Sequence, residues 1–447
     1  MDAILNASTK FKCLSYDPTI ERERRLRNLL YRLIKQCLIN EQFWNTAKPT
    51  GSKPGRLYGL PKIHKDDIPL RPVLSSIGTY NYGLARALKV MISSMLQNEA
   101  VIKDTFQFAD DLKSISKGFS RYKMVSFDIT SLYTNIPIDE TIKLILNYFY
   151  DIEAPPSNTI KRRDMQKLLD FATKYSHFLY NGKVYDQIDD VSMGSPLAPL
   201  LAEIFLQDFE KKHLPRFKKM GILYWKRYMD DTFVLLKPGV SAKNICAKLS
   251  QCHPALKFTV EEERLPNEED KKKITHKVKN YYSKKKEIPK TGEAAKKEEA
   301  KIKELYSNTF LLSFLGVLVL RKPDIGFNTQ IYRKETFSGL ITKWSSFVPK
   351  SYKYNAISSM VYRARRICST YEALSTELDE IRGISFINGY PKAFVESVIR
   401  RQLNMQLTPP AIKPTLDEID TIVLRVPYYG KPSQIYGKRV AAAVAKQ

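Results

Sequence analysis

The sequence predicts an α+β protein in which an antiparallel sheet is packed by helices and followed by a helical C-terminal third. Three observations carry that expectation. Short β-prone runs in the middle of the chain pair as hairpins, at 178–185 around Asn181-Gly182 and at 222–236 around Asp230-Asp231. Apolar residues recur at helical spacing near both ends, in Leu26, Leu29, Leu30, Leu33, Ile34 and Cys37, and in Ile357, Met360, Val361, Ala364, Ile367, Cys368 and Tyr371. The 447 residues, 43% hydrophobic and 27% charged, allow two or three domains with a sizeable core.

In chain order, the first helix carries Arg22, Arg24, Arg25, Arg27 and Arg32 mostly off its apolar stripe, giving a basic outer face. Residues 48–67, rich in Gly, Pro and Lys, are expected to form a loop or an irregular hairpin. Alternation at 124–129 predicts a strand ending in an acid, and Asp139 is expected to cap the helix after it. After the Asn-Gly hairpin, a Gly/Ser/Pro turn at 192–196 opens an apolar helix through Leu206. A helix at 242–249 and a strand at 256–261 follow the acidic hairpin. The lysine-rich stretch 266–305 reads as an exposed insertion, strands resume at 310–320 and 330–333, and basic helices complete the chain.

Lys and Arg number 73 against 47 Asp and Glu, a balance of +26 that is spread along the chain rather than held in the insertion. Such a surplus points to a polyanionic partner, nucleic acid first, because cations placed on phosphates release condensed counterions. The longest nearly apolar run, 310–320, is too short to cross a bilayer, and the N-terminal residues lack the apolar centre of a secretory signal. An intracellular protein is expected. Five cysteines without a CxxC pair argue against a disulfide framework or a zinc site.

The strongest chemical signal is Asp128 at a strand end and Asp230-Asp231 at a hairpin tip. Three carboxylates on adjacent strands can hold two divalent ions roughly 3.5–4 Å apart, the arrangement used for phosphoryl transfer. Magnesium suits hard oxygen ligands completed by substrate phosphates, with manganese as a possible substitute. Asp-Asp in a turn is common for backbone reasons alone, but β-prone flanks on both sides favour a rigid site here.

Six ordered motifs carry a resemblance: LYGLPKIHK, LRPVLSS, VSFDITSLYTNIP, VSMGSPLAPLLAEIFL, YMDD and FLGVLVL. Together they resemble the reverse transcriptases of Penelope-like retroelements, a family related to telomerase reverse transcriptase. The resemblance implies a right-hand polymerase with fingers, palm and helical thumb. On this sequence it implies an N-terminal helical extension at 1–50, fingers at 51–122, palm at 123–335 with the insertion at about 266–305, and thumb at 336–425. Residues 426–447 resemble the basic connector toward a C-terminal endonuclease, itself absent from this sequence.

Residue by residue, the resemblance makes Asp128, Asp230 and Asp231 catalytic and metal-binding, with Ile129 contributing its backbone carbonyl. Nucleotide contacts fall on Lys62, Arg71, Tyr133, Met193 and Gly194, with Tyr133 as the gate against a ribonucleotide 2′-hydroxyl. Many reverse transcriptases have Gln where Met193 stands. Phe314, Leu315 and Gly316 resemble a primer grip, and Lys353, Arg363 and Arg366 are candidate duplex contacts. The implied activity is RNA-dependent DNA polymerisation with two Mg²⁺ ions on an RNA template, a DNA primer or target and dNTPs. The element RNA would form a ribonucleoprotein in the nucleus, with no membrane partner and the oligomeric state left open. A catalytically inactive or domesticated nucleic-acid-binding protein and a telomerase-like polymerase stay open beside this reading.

Overall fold

The computed structural model describes residues 5, 11–61, 68, 70–96, 99–152, 159–187, 194–267, 270, 308–323, 325–405 and 426–444. Lys62, Met193 and nearly all of the lysine-rich insertion lie outside the described residues.

The chain opens with β1 (Phe11–Leu14), α1 (Thr19–Lys35) and α2 (Glu41–Ala47), the last capped by the Asn40 side chain accepting from the Phe43 amide. β2 (Gly55–Pro61) and β3 (Leu70–Ser75) pair antiparallel, so the stretch expected as a loop contains a regular strand. Gly55 permits this because a Cβ there would crowd the carbonyls of Ser75 and His177 at 3.0 and 3.3 Å. α3 (Tyr82–Ile92), α4 (Thr105–Ser114), β4 (Lys123–Ile129), α5 (Ile138–Asn147) and α6 (Arg162–Thr173) follow. Pro137, not Asp139, occupies the N-cap of α5. Asp139 lies inside the first turn, where an acid complements the helix dipole, and its carboxylate pairs with Lys174 at 2.6 Å.

β5 (Ser176–Tyr180) and β6 (Lys183–Gln187) form the hairpin expected from Asn-Gly, with both turn residues at positive φ, 47° and 74°. α7 (Ala198–Lys219) continues well beyond Leu206 because Phe209 and Phe217 keep its buried face apolar past the polar residues at 207–208. Then come β7 (Ile222–Tyr228), β8 (Asp231–Leu236), α8 (Ala242–Gln251) and β9 (Phe258–Glu262). β10 (Phe310–Phe314), β11 (Val317–Lys322) and β12 (Gly326–Ile331) form a meander. α9 (Lys350–Ile367), α10 (Tyr371–Ile387), α11 (Lys392–Asn404) and α12 (Lys431–Val444) complete the described chain. α12 stands where a connector was expected and buries no residue.

Two compact units divide these elements. The first, Met1–Lys103 with Tyr122–Glu263, holds a sheet ordered β1-β6-β5-β2-β3 and an antiparallel sheet ordered β7-β8-β4-β9. Its core joins Leu26, Leu30 and Leu33 of α1 to Leu84 and Leu88 of α3, Phe127 of β4, Phe205 of α7 and Val234 of β8. Burial of these side chains contributes about 1.5–3 kcal/mol each, which is why the stripe read in α1 predicts its inward face. Cys37 falls past the helix end and is exposed.

The second unit is Asp104–Arg121 with Arg264–Gln447. It pairs the β10-β11-β12 meander with α4, α9, α10 and α11, and a core around Ile357, Val361, Ile381 and Val398 holds the C-terminal helices together. Residues 104–121, read from sequence within the fingers, pack here through Phe108 on Phe314, with ring centroids 4.8 Å apart. Among the described residues no helix is long and apolar enough to cross a membrane.

Candidate active site on the β4–β8 sheet

β4 is buried from Met124 to Phe127 and emerges at Asp128, which is half-buried. β8 lies between β4 and β7, and its first residue, Asp231, pairs directly with Asp128 across one side and Tyr228 across the other. Asp230 falls in the two-residue turn with Met229, and its carbonyl accepts the Ile129 amide at 3.1 Å. Met229 takes a left-handed backbone, φ 54°, which costs a non-glycine residue about 1–2 kcal/mol. The hairpin tip is therefore a held geometry.

Directly opposed residues share one face of a sheet, and like charges there repel. A divalent cation completed by water and phosphate oxygens fits the Asp128 and Asp231 pair with Asp230 beside it. Among the described residues no three His, Cys, Asp or Glu side chains form a metal cage by themselves. Asp230, in the turn, stands beside this cross-strand pair rather than in it.

The chain leaves β4 through Ser131, also left-handed at φ 54°, into a short turn at Leu132–Thr134. That turn delivers Tyr133, half-buried, with its Oη 3.7 Å from Sδ of Met229. Burial raises the Tyr133 pKa, and the negative charge of Asp230 and Glu203 adds to it, so the phenol stays protonated at neutral pH.

Gly194 stands against β3. A Cβ there would lie 2.0 Å from the Leu74 carbonyl oxygen, and the Gly194 carbonyl accepts from Ser76 Oγ at 2.6 Å. Only glycine fits. Arg71, on the same strand opposite Leu60, is exposed.

In the second unit, Leu315 and Gly316 form the turn between β10 and β11, at φ 50° and 71°. The Gly316 carbonyl accepts from the Tyr332 amide at 3.0 Å and from Arg363 Nη2 at 3.3 Å. Arg363 is therefore tied to the turn. Arg366 pairs with Asp110 at 2.6 Å and lies over the Phe106 ring, and Lys353 Nζ donates to the Trp344 carbonyl at 2.6 Å. All three cations expected on a duplex have partners within the protein.

Sequence reasoning missed the group behind the hairpin tip. Arg227 is buried against Glu203 and Glu210 of α7. Charged residues inside the apolar runs 200–206 and 222–228 are the available signal, because buried charges need partners. Elsewhere in the first unit, a half-open groove of about 880 Å³ between α1 and α6 is lined by Arg22, Arg25, Arg32, Lys167 and Tyr175. Its arginines pair with Asp186, Glu21 and Asp164, and none of the three acids of the hairpin and β4 lines it.

The antiparallel sheet with paired acids at one end, sharing one core with α5 and α7, is of the right-hand polymerase fold class. The family described as reverse transcriptase (RNA-dependent DNA polymerase) matches residues 63–298, more than half of the chain, and the chain belongs to that family. An animal helix-turn-helix domain matches residues 340–400, the region of α9 to α11. No curated protein matches.

Solved structures similar to it include telomerase from Candida albicans in complex with a fragment of telomeric RNA. The likeness is 9% identity and a TM-score of 0.45, over 89% of this chain and 65% of that one. Telomerase from Candida tropicalis, in complex with the corresponding fragment, gives 10%, 0.42, 85% and 66%. A Sicinivirus RNA-dependent RNA polymerase gives 14%, 0.42, 88% and 74%. The chain spans about two thirds of the length of these telomerase chains.

Proposed function

We propose that the protein is the RNA-dependent DNA polymerase of a Penelope-like retroelement, extending a DNA primer on an RNA template. The observation that carries this reading is Asp128 facing Asp231 across β4 and β8, with Asp230 in the adjoining turn. Asp128, Asp230 and the Ile129 carbonyl would hold magnesium, with Asp231 completing the acidic site. Bound magnesium ions would lower the pKa of the primer hydroxyl and offset charge on the departing pyrophosphate.

The chain's own groups do the rest. Arg71 would take the triphosphate through a planar, two-pronged guanidinium, with Lys62 and Met193 as the other expected nucleotide contacts. Gly194 lets the backbone approach the nucleotide. Tyr133 would close on the sugar and exclude a 2′-hydroxyl. Phe314, Leu315 and Gly316 would support the primer end. The +26 surplus supports salt-sensitive, largely sequence-independent binding of the duplex. Element RNA as partner and action in the nucleus belong to the same proposal.

Primer extension on an RNA template with Mg²⁺, comparing dNTPs with NTPs, tests it on the unaltered chain and on Asp230→Ala. Extension with dNTPs that disappears in the variant supports the reading. Salt-sensitive duplex binding without extension points instead to a nucleic-acid-binding protein on this fold.

A further inference from the structure

Arg227 uses every donor it has. Nε donates to Glu210 Oε1 at 2.7 Å, Nη1 to Glu203 Oε2 at 2.9 Å, and Nη2 to Glu203 Oε1 at 2.6 Å and Glu210 Oε2 at 3.2 Å. The fifth N–H, on Nη1, donates to the Met229 carbonyl at 3.1 Å. That carbonyl belongs to the peptide joining Met229 to Asp230. The Arg227 backbone is fixed as well, its amide donating to Ala100 at 2.7 Å and its carbonyl accepting from Ile102 at 2.8 Å.

The two glutamates stand seven residues apart on α7, two turns along one face, so a rigid helix presents both. Glu210 also accepts from Trp225 Nε1 at 2.9 Å. One positive charge between two carboxylates, all nearly excluded from water, is an expensive arrangement unless geometry repays it. Burial alone disfavours the guanidinium's charge, yet attraction to Glu210 and hydrogen bonds to both glutamates outweigh it and raise the Arg227 pKa.

We propose that Arg227, braced by Glu203 and Glu210, is a positioning residue that locks the Met229–Asp230 peptide in its left-handed turn and so sets where the Asp230 carboxylate stands. The brace is a property of the fold, whereas its catalytic consequence rests on the polymerase reading.

Hydrogen exchange on the full chain tests it without substrate or metal, in Arg227→Lys and in the milder Glu203→Gln, which keeps the side-chain shape. A lysine has three donors on a flexible stem and cannot reproduce the fork. The expected result is faster exchange confined to the hairpin tip and to the Ile129 amide that bonds Asp230, with Phe233 to Leu236 unchanged. Even acceleration along all of β4, β7 and β8, or none at Ile129, would overturn the proposal and leave the triad a general stabiliser.

Two further readouts separate positioning from folding. In primer extension kcat should fall by about 100-fold, the effect of a misplacement near 1 Å, while KM for dNTP stays near its original value. Mn²⁺ binding followed by paramagnetic resonance should weaken in both variants. An unaltered chain that fails to extend primers, alongside the local exchange effect in the variants, would remove the polymerase reading and keep the brace.

Discussion

Tyr133 Oη stands 3.7 Å from Sδ of Met229, so the turn leaving β4 and the tip of the β7–β8 hairpin touch through side chains. The Tyr133 ring packs against the core, and the Asp230 charge lies near enough to add to the rise in its pKa. Tyr133→Ala removes the ring from this contact and opens space beside the acids. Ribonucleotide incorporation should rise relative to dNTP incorporation, measured as the ratio of kcat/KM values. Tyr133→Phe should leave that ratio unchanged, since the ring and not the hydroxyl would meet the sugar. An unaltered ratio in the alanine variant removes the gate assignment.

Gly194→Ala places a methyl group against backbone atoms, 2.0 Å from the Leu74 oxygen and 2.9 Å from its carbonyl carbon. Neither can swing aside as a side-chain tip would. Overpacking of this kind costs about 1–3 kcal/mol, and the Ser76 hydrogen bond to Gly194 should be disturbed with it. Denaturant unfolding should show the loss, and dNTP binding should weaken if the loop touches the nucleotide.

His177 provides a pH dependence away from the acids. Its ring is buried, 2.7 Å from Thr19 Oγ1 and 3.2 Å from Arg22 Nη1, and it stacks on Tyr80 at 5.9 Å. Asp17 lies 3.6 Å away, and Asp186 pairs with Arg22. Burial first, and the Arg22 charge second, lower its pKa from the ordinary 6.5. The unfolded chain therefore takes up a proton at higher pH than the folded one, and stability declines as pH falls below 6.5. The slope attributable to this group is at most about 1.4 kcal/mol per pH unit. Urea unfolding between about pH 7.5 and 5.5 should show that slope in the unaltered chain and a shallower one in His177→Asn.

Gly316→Ala combines two costs. A positive φ of 71° disfavours an L residue, and the new Cβ would lie 2.5 Å from Arg363 Nη2, the group that bonds the Gly316 carbonyl. A loss of about 1–2 kcal/mol follows from the backbone alone. Single-turnover extension should slow while dNTP KM is unchanged, if this turn supports the primer. Equal extension rates at full folding would leave it a structural turn only.

Much of the sheet around the acids was legible because its signals are local. The alternation of 124–129, the Asn181-Gly182 turn and the β-prone flanks of Asp230 each act over a few residues, and each appears as a strand or hairpin. Position 139 misled, since an acid there can serve the helix dipole from inside the first turn as well as from the cap. The regular strand β2 was hidden by its Gly and Pro content, because its partners β3 and β5 decide its conformation. Arg227 was legible only in part for a similar reason: a charge inside an apolar run signals burial, but its partners lie 17 and 24 residues away and the local pattern does not pair them. The arrangement of Asp128 opposite Asp231, rather than opposite Asp230, is likewise a matter of register.

The placement of α4 has a consequence for how the chain comes together during synthesis. Thr105 Oγ1 bonds the Leu315 carbonyl across 210 residues, and Asp110 pairs with Arg366 across 256. At ribosomal rates of about 5–20 residues per second, α4 waits on the order of ten to fifty seconds for its partners. Throughout that interval Phe108, Ala109 and Leu112, all buried in the finished protein, lack the surface they will cover. The acidic hairpin and its sheet are complete by Glu262, so the first unit can fold while this helix is still unsatisfied, and a chaperone acting on the nascent chain would find its binding segment there.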